Sequence, residues 1–189
     1  MRIVGGTFRG RPLAALDSTS TRPTSDRVRE AVFNILAHGI EGFSITGARV
    51  LDLFAGTGAL GLEALSRGAA YCLFVEEDAG ARGVIRRNIE TLELTGVTKL
   101  FRRDASDLGP ASNRGTFNLV FIDPPYGKGL AERALESAAA GQWLTPGAIA
   151  IIEERKGTTV TLPSSVMMLD QRAWGDTQVL FARFATKAG

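Results

Sequence analysis

A chain of 189 residues, with 44% hydrophobic and 22% charged residues, can bury the core of one domain plus a small appendage and is too short for two full domains. Its net charge of +2 is only mildly basic, its one cysteine, Cys72, excludes an internal disulfide framework, and its one histidine, His38, excludes a histidine triad or zinc cluster. No run approaches the ~18 apolar residues of a membrane span, and the opening MRIVGGTFRGR lacks an apolar stretch of signal-peptide length, so a metal-free, cytoplasmic protein with no membrane partner is expected.

The charge is uneven. Residues 1–29 hold six arginines against Asp17 and Asp26, a local net of +4 that leaves −2 for the remainder. Arginine suits bidentate phosphate contact and stacking on bases, which makes Arg2, Arg9, Arg11, Arg22 and Arg29 candidate RNA contacts. Arg2 to Leu16 alternates loosely around Gly5-Gly6 and Arg9-Gly10, predicting a short hairpin with Ile3 and Val4 against Thr7, Phe8 and later Leu13. A hairpin this small is marginal alone, so it should dock on the main domain or on a nucleic acid. Asp17 to Ser25 is rich in Ser, Thr and Pro and reads as a linker ending at a helix N-cap, Ser25 or Asp26. The expected division is a basic hairpin and linker over 1–24 and a main domain over 25–189.

From Asp26 to about Ala37, Val28, Ala31, Val32, Ile35 and Leu36 fall on one helix face. Next comes the stretch around which the chain is organised, VLDLFAGTGALGLEA from Val50 to Ala64. An apolar strand, Arg49 to Phe54, breaks at Gly56-Thr57-Gly58 and resumes as a helix, a turn whose glycines allow positive φ and close ligand approach beside unpaired helix amides. Gly56, Gly58 and Gly61 also fit G-x-G-x-x-G, with Glu76 twenty residues after Gly56, so a nicotinamide dinucleotide fits this spacing as well.

Strands follow at Tyr71–Val75, Lys99–Arg102, Phe117–Ile122 and Ala148–Ile152, with helices at about Ala79–Glu93 and Gly129–Ala140. A last pair, Val166–Leu169 and Gln178–Phe184, has no helix between its members and should be antiparallel. Strands alternating with helices make a three-layer, Rossmann-like α/β sheet whose ligands sit at the strands' carboxyl ends. Asp52, Glu76, Asp104 and Asp123 all stand at or just past such ends. Glu76 could accept from both hydroxyls of a ribose, Asp104 from the exocyclic amine of an adenine, and Asp52 with the glycine turn could hold the cofactor's amino-acid end.

Asp123-Pro124-Pro125-Tyr126 follows the most apolar strand. Two prolines remove two backbone donors and stiffen the loop. The Asp123 carboxylate and the Pro124 carbonyl can then take both hydrogens of an aryl amine while Tyr126 offers a ring for stacking. An amine held this way aims its lone pair at an incoming group, which suits methyl transfer from a sulfonium, a reaction that depends mainly on alignment and needs no metal.

At these residues a resemblance is plain. DLFAGTG, VEED, RRDASD and DPPY, in this order, resemble motifs I to IV of the class I S-adenosylmethionine-dependent methyltransferases, DPPY being the amino-methylating form. RIVGGTFRGRPL, TRPTSDRVREAVFNIL and WGDTQVLF resemble the bacterial RsmD-like family, the 16S rRNA (guanine(966)-N(2))-methyltransferases. The resemblance covers nearly the whole chain. It implies a seven-stranded sheet with the last strand inserted antiparallel, and a donor pocket lined by Asp52, Phe54, Gly56, Gly58, Glu76, Glu77, Asp104 and Ala105. It also implies a target guanine held by Asp123, Pro124, Pro125 and Tyr126, an rRNA-gripping hairpin, Arg22 and Thr24 closing over the donor, and 16S rRNA or an assembling small subunit as partner. A monomer is expected.

The residues alone leave three alternatives open. A DPPY-like loop accepts any planar amine, so adenine N6 or a protein glutamine could be the acceptor. A dehydrogenase would need a substrate domain and an acid-base residue not evident here, and an RNA-binding protein without catalysis could keep the same fold.

Overall fold

Near-continuous burial along the central strands, with successive side chains entering opposite cores, fixes the architecture. In a computed structural model describing residues 1–16 and 25–185, the elements run α1 (Asp26–His38), β1 (Arg49–Leu53), α2 (Ala59–Ser66), β2 (Tyr71–Val75), α3 (Ala79–Thr91), β3 (Thr98–Phe101), β4 (Phe117–Ile122), α4 (Leu130–Ala140), β5 (Leu144–Arg155), β6 (Val166–Trp174) and β7 (Thr177–Phe184). Val50, Cys72, Phe74, Phe121, Ile149, Ile151 and Phe181 face one core with α1, α2 and α3. Leu51, Leu53, Leu73, Val75, Val120, Ile152 and Leu180 face a second core with α4. A sheet buried on both sides must lie between two layers of helix.

The seven strands lie in the order β3-β2-β1-β4-β5-β7-β6. β1 to β5 run parallel to one another, while β7 pairs antiparallel with both β5 and β6. The sheet order turns back between β1 and β4, and the carboxyl ends of these two central strands open the crevice where such folds bind ligands.

Two strands outrun their sequence patterns. β5 begins at Leu144, not Ala148, because a bulge between Phe117 and Leu119 brings Leu144 opposite Phe117. β6 continues to Trp174 through side chains that are largely exposed. As an edge strand it is held by its backbone ladder with β7, so no apolar alternation marks its length.

The N-terminal segment pairs differently from expectation. Ile3 N donates to Arg11 O (2.9 Å), Gly10 N to Ile3 O (2.8 Å) and Leu13 N to Met1 O (3.0 Å), so residues 1–3 lie against 10–13. The intervening residues, expected to pair among themselves, are bonded to α2. Val4 N donates to Glu63 Oε2 (2.8 Å), Thr7 N to Ser66 O (2.7 Å) and Phe8 N to Ser66 Oγ (2.9 Å). Gly6 is required at this contact, since a Cβ there would lie 1.9 Å from Ser66 O. Ile3 and Leu13 join the core with α1, which makes residues 1–16 part of the same folded body.

Arg29 corrects a second expectation. Read as an RNA contact, it is fully buried. Its Nη2 donates to Asp26 Oδ1 (2.8 Å) and Arg2 O (2.5 Å), and its Nε lies 3.6 Å from Glu63 Oε2. Buried Glu63 in turn meets Arg67 Nε at 2.8 Å. This network ties the N-terminal segment to α1 and α2, and its cation is unavailable to a macromolecule. Removing one partner strands a buried charge, so Arg29→Met should lower unfolding stability by about 3 kcal/mol, read as a drop in the urea midpoint.

Candidate active site

The chain leaves β1 through a run of left-handed backbone, with φ of +57° at Phe54, +56° at Gly56 and +78° at Gly58. A phenylalanine in that region is strained, and such strain is typical of a turn that must face a ligand. Gly58 caps α2 and places its Cα where a Cβ would press within 3.2 Å of Phe74. Gly61 allows α2 to touch the sheet, since a Cβ there would stand 2.5 Å from Cys72 Sγ and 3.0 Å from Asp52 Oδ2. The Gly61 amide donates to that same Asp52 oxygen at 3.0 Å.

Around this turn lies a cleft of about 1700 Å³ lined by Asp52, Phe54, Gly56, Glu76, α3 residues including Gly80 and Gly83, and all four residues of Asp123–Tyr126. The glycine bend and the proline loop, 65 or more residues apart in sequence, therefore wall one space. Gly58 lies behind the lining. Glu76 joins two loops by accepting from Gly56 N (Oε2, 2.8 Å) and Asp78 N (Oε1, 2.8 Å), and each oxygen retains a further lone pair. Asn88, which the sequence did not single out, fixes the turn from behind. It is buried, donates to Thr57 O (2.9 Å) and exchanges two hydrogen bonds with the Ala14 backbone.

At the other end, Tyr126 Oη donates to Glu153 Oε1 at 2.6 Å and lies 3.1 Å from Thr177 Oγ1. Gly127 N donates to the Glu154 carboxylate (3.1 and 3.3 Å). Glu153 and Glu154, both buried at the end of β5, thus set the shape of the proline loop. Their trace in the sequence is an apolar run, Ala148 to Ile152, that continues straight into two acids. Burial raises the Tyr126 hydroxyl above its ordinary pKa, and the bond to Glu153 raises it further.

The floor is unusually acidic. Burial lifts the Asp52 carboxyl to about 8, opposed by the Gly61 amide and assisted by Glu76. Burial also holds Asp123 well above the carboxylate range, with the charges of Glu153, Asp52 and Glu154 adding to the effect. Such a cluster favours a ligand that brings cationic or hydrogen-bond-donating groups. Among the described residues, no three His, Cys, Asp or Glu side chains converge to hold a metal ion.

Not every expected residue reaches this space. Glu77 is exposed on the turn after β2, and its carbonyl accepts from Arg82 Nη1. Asp104 and Ala105 are absent from the lining. Asp104 instead accepts from Ser106 N and Oγ, each at 2.8 Å, which holds its pKa below the ordinary value, while Ala105 packs in the α4-side core. Arg2 is exposed and pairs with Asp26 at 3.2 Å, and Arg9 and Arg11 are exposed on the N-terminal loop. Arg22 and Thr24 lie outside the described residues.

Comparison with known proteins adds an independent line. Residues 1–183 match the family described as conserved hypothetical protein 95. Ribosomal RNA small subunit methyltransferase D of Escherichia coli K12 is 37% identical over 190 residues, covering all of this chain and 91% of its own length. The protein of the same name from Haemophilus influenzae is 35% identical over 177 residues, covering 93% and 89%. The solved structure of the Escherichia coli yhhF protein superposes with a TM-score of 0.84 at 33% identity, covering 99% of both chains.

Proposed function

The chain belongs to the conserved hypothetical protein 95 family, the RsmD family of S-adenosylmethionine-dependent rRNA methyltransferases with the class I fold, and from that premise we propose that it methylates the exocyclic N2 amine of a guanine in 16S rRNA, the guanine at position 966 by the family's pattern. The observation that carries this reading is the single cleft shared by Asp52, Phe54, Gly56 and Glu76 at one end and Asp123 to Tyr126 at the other.

The residues fit the donor. Gly83 faces the cleft with nothing within 4 Å of the place its Cβ would take, so α3 leaves a bare wall. Glu76 has acceptor capacity left for ribose hydroxyls, and Asp52 supplies an anion for the cationic end. S-adenosylmethionine, when bound, supplies an activated methyl group on a sulfonium. The chain's part is to hold the acceptor. Asp123 accepts a hydrogen from the amine, Tyr126 gives the base a face whose far edge is anchored by Glu153 and Thr177, and the buried acids disfavour phosphate at depth. The base must leave its stack to enter, and the aromatic platform receives it.

The test is transfer of labelled methyl to small-subunit particles and to naked 16S rRNA from a strain lacking this gene. Nucleoside digestion should yield N2-methylguanosine, and label in N6-methyladenosine, or none in RNA, overturns the proposal. The arm's part is separable. Arg9→Glu with Arg11→Glu should weaken rRNA binding by roughly tenfold at moderate salt while donor affinity, measured calorimetrically, stays unchanged.

A further inference from the structure

Among the described residues, the cations that line the cleft are the buried Arg29 and the exposed Arg87, Arg155 and Lys156, whereas Arg2, Arg9 and Arg11 are not part of its wall. Thr7 and Phe8 dock on Ser66, the last residue of α2, whereas the glycine turn meets the first residue of that helix. Eight residues of helix span about 12 Å, and Arg9 beside that far end is not among the residues that line the cleft. The lip beside the proline loop is formed instead by Arg155 and Lys156, both exposed and both lining the cleft. Neither side chain is ion-paired among the described residues.

The backbone beneath them is fixed. Glu154 accepts from Arg155 N (2.7 Å) with the carboxylate that also accepts from Gly127 N, so the lip is stapled to the tip of the proline loop. Lys156 N donates to Asp176 O (2.8 Å) in the β6–β7 turn. Thr158 N closes the turn onto Arg155 O (3.1 Å), with Gly157 at φ +87° and its amide on Gln178 Oε1 (3.3 Å).

Along this wall Asp123, Glu153 and Glu154 lie inward and Arg155 and Lys156 follow one residue further out, with the exposed Asp176 beside them, so the lip carries two cations against one acid. A nucleotide meets this gradient in one orientation, with the amine and base inward and the anionic backbone outward.

We propose that Arg155 and Lys156 form a phosphate-binding lip that grips the RNA backbone flanking the target nucleotide and admits it base first, separately from the arm. This rests on the reading of the cleft as an RNA guanine methyltransferase site.

The experiment measures 16S rRNA binding against KCl concentration, and transfer to small-subunit particles, for the wild type, for Arg155→Glu with Lys156→Glu, and for the charge-keeping exchange Arg155→Lys with Lys156→Arg. Two single-strand phosphate contacts are worth a change of about 1.4 in the slope of log affinity against log salt. The reversal should lose about that much slope and raise KM for particles about tenfold or more, with donor affinity unchanged, while the exchange keeps the wild-type slope. A reversal with the wild-type slope, or an exchange as defective as the reversal, overturns the lip. A wild type that places no methyl on RNA guanine overturns the parent reading instead.

Discussion

Asp123→Ala should cut the single-turnover rate of methyl transfer by about 10³-fold while the protein still binds the donor. Asp123 lines the cleft beside Pro124, Pro125 and Tyr126, and the two prolines leave the loop little freedom to offer a substitute acceptor. The amine's hydrogens become more acidic as its lone pair is committed, so a bond to Asp123 strengthens in the transition state and its loss falls on the rate more than on KM. Removing one such preorganised partner costs on the order of 10²–10³ in kcat. The upper figure applies because burial is the main cause that raises the Asp123 pKa, with the charges of Glu153, Asp52 and Glu154 adding to it, so water is a poor replacement acceptor there. Asp123→Asn keeps the shape and one acceptor oxygen, and should recover part of the rate. Rapid-quench measurement with labelled donor checks both variants, and turnover at the wild-type rate in Asp123→Ala would remove the carboxylate from the chemistry.

The sheet was legible because its signals are strong and local. Buried parallel strands leave short apolar runs, and here those runs stop at Phe54, Val75 and Ile122 against glycine, acid or proline. Topology then brings Asp52, Glu76 and Asp123 to one edge, since β1 lies between β2 and β4. Other parts were illegible for physical reasons. Arg29 looks like any other arginine of a basic segment, and only the packing of Glu63 and Asp26 around it reveals a buried cation. The N-terminal pairing turned on contacts with Ser66 and Glu63, some 60 residues away, that no local alternation encodes. Asp104 follows β3 as its fellow acids follow their strands, yet its side chain closes a local turn on Ser106, a choice Asp makes readily because its short side chain reaches its own backbone. Glu153 and Glu154 show in the sequence only as two acids after the apolar run Ala148 to Ile152, and their work, holding Tyr126 and Gly127, appears only when β5 lies beside β4.

The acidic floor should also make the protein's stability and its donor affinity run in opposite directions with pH. Asp52 is 1% exposed, and burial raises its pKa from 3.8 to about 8. Between those values the native state keeps a proton that the unfolded chain has released, so unfolding free energy falls as pH rises across this window, by at most ~1.4 kcal/mol per unit. Above about pH 8 this contribution levels off. Asp123, raised for the same cause, contributes with the same sign. Asp52→Asn should therefore flatten the urea stability profile from pH 5 to 8 in part, and make the ligand-free protein more stable than wild type at pH 8. A cationic donor needs the ionised carboxylate, so wild-type affinity should tighten by up to about tenfold per pH unit from pH 6 to 8. In Asp52→Asn the affinity should be weak and lack that component, and calorimetry in buffers of different ionisation enthalpy should show one proton fewer released on binding than in wild type. Equal pH slopes in the two proteins, for both stability and affinity, would mean that Asp52 is ionised throughout and that the Gly61 amide, not burial, governs its charge.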